Sequence, residues 1–187
     1  MNMPYIDSLK NPRLPGFQWQ DPEDDFDRKM FKNILEFGCQ IIAVEATASS
    51  VEFAYSVGLY LNFLHPEILI MGISSQACHH AINRISREAA AQRIVKEGDQ
   101  RTDLFEIPKP VKFVSVDKAR YYDYLGYAAW FYRSLMFSSP PLEPKFPVLQ
   151  ALWPDNNLLF PENPNCNADV RKAQILVPTP SPTKPPS

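Results

Sequence analysis

Four residues of this sequence combine reactive side chains with a spacing that could use them: Tyr55, His65, Glu67 and Asp155. His65 and Glu67 flank Pro66, which fixes the local backbone and removes one amide donor. In an extended segment, residues two apart point to the same side, so an imidazole and a carboxylate would face one space. Such a pair works as a general base with an orienting acid, or as two metal ligands. The structural alternative is that His65 bonds a neighbouring loop and Glu67 caps a backbone amide. Asp155 follows the rigid corner Trp153-Pro154. There it either presents a carboxylate at a strand end or closes an Asx-turn on its own backbone. Tyr55 would act as an acid or hydrogen-bond donor. Gln150, Trp153 and Gly58 are the candidate ligand-binding residues beside them. Gln150 lines the same face as Trp153 or satisfies a sheet edge, and Gly58 marks a bulge or a close backbone approach.

Other signals carry less. Cys78-His79-His80 has the composition of a metal site, but consecutive helical residues point about 100° apart and cannot converge on one ion. No metal site is expected, and no cofactor is indicated. The common local signatures of nucleotide, serine-hydrolase, zinc-protease and redox sites are absent.

The elements that must position these residues read as follows. An irregular arm spans 1–23, rich in proline, with Tyr5, Phe17 and Trp19 available to pin it to the surface. Asp24 or Asp25 caps a helix to residue 37, with Phe26, Met30, Ile34 and Phe37 as its inner stripe and Gly38 as its left-handed stop. Strands are expected over 39–45, 53–59, 67–72, 111–116 and 148–153, the first two forming a hairpin. A helix capped by Ser74 or Ser75 runs to about residue 97, and Gly98 ends it. The polar loop 98–110 is either a plain surface loop or a flap over a pocket. A strongly aromatic helix over 118–135 is either sandwiched in the domain or turned toward a partner as an oligomer face. The tail from 178 is proline-rich, with nothing apolar to bury. The fold class is therefore α+β: a mostly antiparallel or mixed sheet of about five strands with about three helices packed on it. One domain is expected over 24–170, followed by a disordered tail over 171–187.

Composition narrows the function classes. The chain has 187 residues, 45% hydrophobic and 21% charged, with formal net charge −2. No clustered Lys and Arg supply a nucleic-acid face, and no apolar run can span a bilayer. The beginning of the sequence lacks the apolar core of a secretory signal. Three cysteines, none in a CxxC pair, read as free thiols in a reducing cytoplasm.

Three blocks together carry a family resemblance: Phe53-Ala54-Tyr55-Ser56-Val57-Gly58-Leu59; His65-Pro66-Glu67-Ile68-Leu69 with Gly72; and Val148-Leu149-Gln150-Ala151-Leu152-Trp153-Pro154-Asp155 with Phe160-Pro161. They resemble a bacterial family catalogued as the domain of unknown function DUF4262, over about residues 26–161. Members of that family carry a glycine and a Pro-Trp around residues 157–162, where this chain has Leu158 and Glu162. The family brings no activity with it.

Two functions fit these residues. The first is a binding or interaction module, antitoxin-like for instance, holding a small molecule or protein partner in a pocket near His65, Glu67 and Asp155. The second is a small hydrolase or transferase, with His65 as general base, oriented by Glu67 or Asp155. Both require these groups to open onto one hollow.

Overall fold

Asp24 and Gly38 bracket the first helix. Asp24 is extended, and its carboxylate accepts from the Asp27 N–H; Gly38, at φ +89°, turns the chain left-handed and returns its N–H to Ile34 O. Helix α1 (Asp25–Phe37) buries Asp27, Met30, Phe31 and Ile34. The expected stripe was one arc off: Phe26 and Phe37 are exposed, and Phe31 takes the inner place by packing against Trp19 and Trp130.

The computed structural model describes residues 14–48, 50–135 and 145–174. Tyr5, most of the proline-broken stretch before residue 148 and the tail from 178 lie outside the described residues. Within them, Phe17 is buried and Trp19 packs edge-on to Phe131, pinning the arm.

Strands β1 (Gln40–Val44) and β2 (Phe53–Val57) form the expected hairpin, with Gln40 opposite Val57 and Val44 opposite Phe53. Gly58 then takes φ +112° and opens a short helix, α2 (Leu59–Phe63). The close approach read at Gly58 is real: a Cβ there would lie 2.9 Å from Ile34 Cγ2 and 3.2 Å from Gly38 O. Strand β3 (Glu67–Met71) is buried on both faces and leads to α3 (Ser75–Ala90), capped by Ser74. That helix stops well before Gly98. Gln92, at φ +62°, reverses the chain, and Arg93 N–H closes onto Glu88 O.

Within the loop 98–110, Gln100–Arg101 forms a two-residue strand, β4, paired with β5 (Val111–Ser115). The aromatic stretch is not one helix. It comprises a 3-10 turn (Lys118–Arg120), α4 (Tyr121–Tyr124), α5 (Gly126–Phe131) and a second 3-10 turn (Arg133–Leu135). The break falls at Leu125 (φ −117°, ψ +39°), just before a glycine, the weakest helix former after proline. Tyr121, Phe131 and Tyr132 point into the core, whereas Tyr122 and Tyr127 stay exposed. Strand β6 (Val148–Leu152) and the short α6 (Ala168–Lys172) complete the described chain.

The six strands among the described residues form one mixed sheet in the order β1-β2-β3-β6-β5-β4. All pairs are antiparallel except β3 with β6. Ala54, Ile68, Ile70, Phe113 and Ala151 meet Cys78, Ala81, Ile82 and Ile85 of α3 on one face. Tyr55, Leu69 and Val148 meet Phe31, Ile34, Phe131 and Tyr132 on the other. The fold is α+β, with one more strand than read from sequence and shorter, more numerous helices. No helix among the described residues is long and apolar enough to cross a membrane. Cys39, Cys78 and Cys166 are free and buried, and burial pushes the thiols of Cys39 and Cys78 up to about 12.

Candidate functional site

Strand β3 begins where the His-Pro-Glu segment ends, and this decides what the segment does. Glu67 is 1% exposed and paired in register with Val148. Its carboxylate accepts from Gly58 N–H at 2.9 Å and Tyr60 N–H at 3.1 Å, and from the hydroxyls of Ser56 and Tyr132. Tyr132 Oη in turn accepts from Gly58 N–H at 3.2 Å and Leu61 N–H at 3.3 Å. Burial raises the Glu67 carboxyl above its ordinary range, and the four donors oppose that rise. Glu67 thus ties β2, α2, β3 and the end of α5 together.

His65 is fully buried. Its Nε2 lies 3.1 Å from Val95 N–H, and Nδ1 lies 2.6 Å from Pro66 O. An N–H can only donate, so Nε2 is the acceptor and the ring is neutral, with its proton on Nδ1 pointing at the carbonyl. Burial pushes its pKa down. Both nitrogens are spent on backbone, which is the structural alternative weighed above.

Asp155 closes a turn. Oδ1 accepts from Asn157 N–H at 2.9 Å and Leu159 N–H at 3.0 Å, and Oδ2 accepts from Asn167 N–H at 2.9 Å. The bond two residues on is the Asx-turn. Asp155 is buried, and the backbone donors, Asn167 first, hold its carboxyl low.

These groups do not open onto one hollow. Strands β3 and β6 run parallel, with Glu67 opposite Val148. His65 and Glu67 stand at the start of that pair, and Asp155 lies three residues past its end. A five-residue strand separates them by about 13 Å along the sheet. The shared pocket expected from sequence is therefore replaced by two separate ends. Gly58 belongs to the Glu67 end and Trp153 to the Asp155 end. Tyr55, buried on β2, accepts from Tyr127 N–H at 3.3 Å; burial raises its hydroxyl pKa. Gln150 is fully buried in β6, in the cross-strand row Tyr55–Leu69–Gln150–Val114. Neither atom of its amide has a hydrogen-bond partner among the described residues.

The concave site lies at the far end of the parallel pair. A cavity of about 370 Å³ opens where β3 and β6 end. Ile73, Ser74, Gln76, Ala77 and His80 supply the α3 wall, Phe105, Glu106, Ile107 and Lys109 the loop wall, and Trp153 the end of β6. Trp153 is locked from three directions. Its Nε1–H donates to Met71 O at 2.8 Å, its backbone N–H donates to Gln174 Oε1 at 2.9 Å, and its carbonyl accepts from Gln174 Nε2 at 2.9 Å. Gln174 is buried, so the packed chain runs past residue 170, where the tail was expected to begin. Gly72, at φ +72°, is pressed between Ala173 and Trp153.

The loop wall is fastened to α3 by ions. Arg84 donates to Asp103 O at 2.7 Å, and Arg101 bridges Glu88 and Asp103. The Arg101 guanidinium holds the Glu88 carboxyl low. Of the loop 98–110, Phe105, Glu106, Ile107 and Lys109 line one side of the hollow. His80 and the loop residues were missed as site residues. The signal available was that His80 falls outside the apolar stripe of α3, on the side where that loop returns.

The comparisons agree with the motifs. No curated protein matches the chain, and no solved structure does. The model of the family described as Domain of unknown function (DUF4262) matches residues 33–167, which span both the His-Pro-Glu block and the Trp-Pro-Asp corner. The chain belongs to the DUF4262 family.

Proposed function

We propose that this chain is a small-ligand-binding module, and that its site is the cavity walled by α3, the loop 105–109 and Trp153. The supporting observation is a preformed hollow of about 370 Å³ just past the ends of the two parallel strands. Small-molecule sites run from about 300 to 1,000 Å³, and the crevice outside parallel strand ends is their usual place in α/β sheets. The mix is also right: Trp153, Phe105, Ile73 and Ala77 give apolar area, while Ser74, Gln76, His80, Glu106 and Lys109 give orienting polar groups. The hydrolase reading needs the lone pair of His65, which Val95 N–H occupies. A protein partner over 118–135 would have Tyr122 and Tyr127 to grip, the exposed rings there. Free buried thiols fit a cytoplasmic setting in a bacterium.

Native mass spectrometry of the protein purified from cells, with thermal shift against a metabolite library, tests this reading. Wild type is expected to retain or respond to a small molecule, and Ala77→Trp, which fills the hollow, to lose the response. Equal responses from a folded Ala77→Trp protein and wild type would refute the site.

A further inference from the structure

The charged residues of loop 98–110 fall into two sets. Asp99, Arg101 and Asp103 are engaged: Asp99 accepts from Lys96 N–H at 2.8 Å, and Arg101 bridges Glu88 and Asp103. Glu106 and Lys109 are not. They carry opposite charges three positions apart, yet among the described residues neither makes an ion pair or a hydrogen bond, with the other or with anything else. Both line the hollow of about 370 Å³ beside Trp153.

The loop is stiff where these two stand. Pro108 and Pro110 flank Lys109. Each proline fixes its own backbone and restricts the residue ahead of it to extended geometry, so Ile107 and Lys109 have little freedom to bring the charges together. One wall of the hollow therefore offers an anionic acceptor and a cationic donor that stay apart. A ligand head with an ammonium and a carboxylate on adjacent atoms bridges such a pair, with a charge-assisted hydrogen bond to each. Apolar area lies next to it. Phe105 and Ile73 line the same hollow, and Trp153 brings its ring without a free donor, because Nε1–H is spent on Met71 O at 2.8 Å.

We propose that the hollow binds a free α-amino acid with a large apolar side chain. Glu106 takes the ammonium, Lys109 the carboxylate, and Trp153, Phe105 and Ile73 the side chain. This assignment rests on the small-ligand reading of the same cavity and names its ligand class. A peptide does not supply the head, since its ammonium and carboxylate stand at opposite ends.

The test removes one charge at a time, from the ligand and from the protein. L-Phenylalanine and L-leucine are titrated into the full chain by calorimetry. Alongside run their analogues without the ammonium (phenylpropionate, isocaproate) and without the carboxylate (phenethylamine, isopentylamine). Glu106 and Lys109 are exposed, so Glu106→Gln and Lys109→Met leave the core untouched, and circular dichroism confirms that each variant is folded. At least one amino acid is expected to bind, and its two analogues at least about tenfold more weakly, as loss of a charged hydrogen bond implies. Lys109→Met should erase the preference over the amine, and Glu106→Gln the preference over the acid. Equal binding of an amino acid and its analogues, undiminished preferences in both variants, or silence of both amino acids would overturn the assignment. Silence with a library compound that still stabilises wild type and not Ala77→Trp sinks the amino-acid assignment alone. Amino-acid binding undiminished in folded Ala77→Trp sinks the cavity reading with it.

Discussion

Replacing Glu67 by alanine should cost this protein more stability than almost any other single polar change. Without the carboxylate, Gly58 N–H keeps Tyr132 Oη, and Ser56 Oγ keeps the Ile68 N–H it accepts. The Ser56 hydroxyl, the Tyr132 hydroxyl and Tyr60 N–H lose their acceptor. Each stranded donor costs about 1–3 kcal/mol, offset by no longer holding a charge out of water. The net loss expected is about 3–5 kcal/mol, a large share of an ordinary domain's 5–15 kcal/mol. Glu67→Gln keeps the shape and one acceptor oxygen, and rotating hydroxyls can meet its amide, so about 1–2 kcal/mol is expected. Urea unfolding measures both, with midpoints falling and slopes unchanged. Acidity gives an independent check. The folded carboxyl lies above its ordinary 4.5, so between those values the native state holds the extra proton. Stability from this group is thus fully present below 4.5 and is lost as pH rises through the folded value. Glu67→Gln should erase that slope. A Glu67→Ala protein within about 1 kcal/mol of wild type would refute the hub reasoning.

Four further outcomes follow from the same geometry. His65→Ala strands Val95 N–H and leaves a hole, costing about 2–4 kcal/mol by chemical denaturation. In wild type, the neutral His65 takes up its proton only on unfolding, so stability should fall as pH drops from 6.5 toward its lowered folded value; an unchanged acid limb in His65→Gln would contradict this. Gly58→Val meets both a left-handed backbone and Ile34, and its free energy of unfolding should drop by about 3 kcal/mol or more; a wild-type melting curve would count against it. Leu158→Gly should raise the melting temperature slightly, by about 0.5 kcal/mol of stability. Leu158 is exposed at φ +60°, a left-handed backbone that glycine adopts without cost; a destabilised variant would show that the side chain does more than strain the turn.

What the sequence could disclose here was local. The Asp24 cap, the Gly38 stop, the first hairpin and the turn closed by Asp155 each depend on residues a few positions apart. The partners of the reactive-looking residues do not. Tyr132 reaches Glu67 across 65 positions, and Val95 meets His65 across 30. Nothing near His65 or Glu67 announces those partners, so a buried hydrogen-bond hub and a catalytic pair read alike in the linear chain. The parallel pairing of β3 with β6 is equally non-local, and it is what puts Asp155 at the other end of the molecule. The aromatic stretch failed differently: ring content left burial and a partner face both open, and it drew attention away from Gly126, just before which the helix breaks at Leu125.

The position of β6 bears on how this chain is made. One of the two central strands, β6, is the last of the described strands to be translated, so β3 and β5 each wait with a bare hydrogen-bonding edge while about thirty residues are added after Ser115. Until Val148–Leu152 arrives, a nascent chain on the ribosome can complete its first hairpin but cannot close its sheet. Its exposure to misassociation is therefore set by the speed of that last insertion.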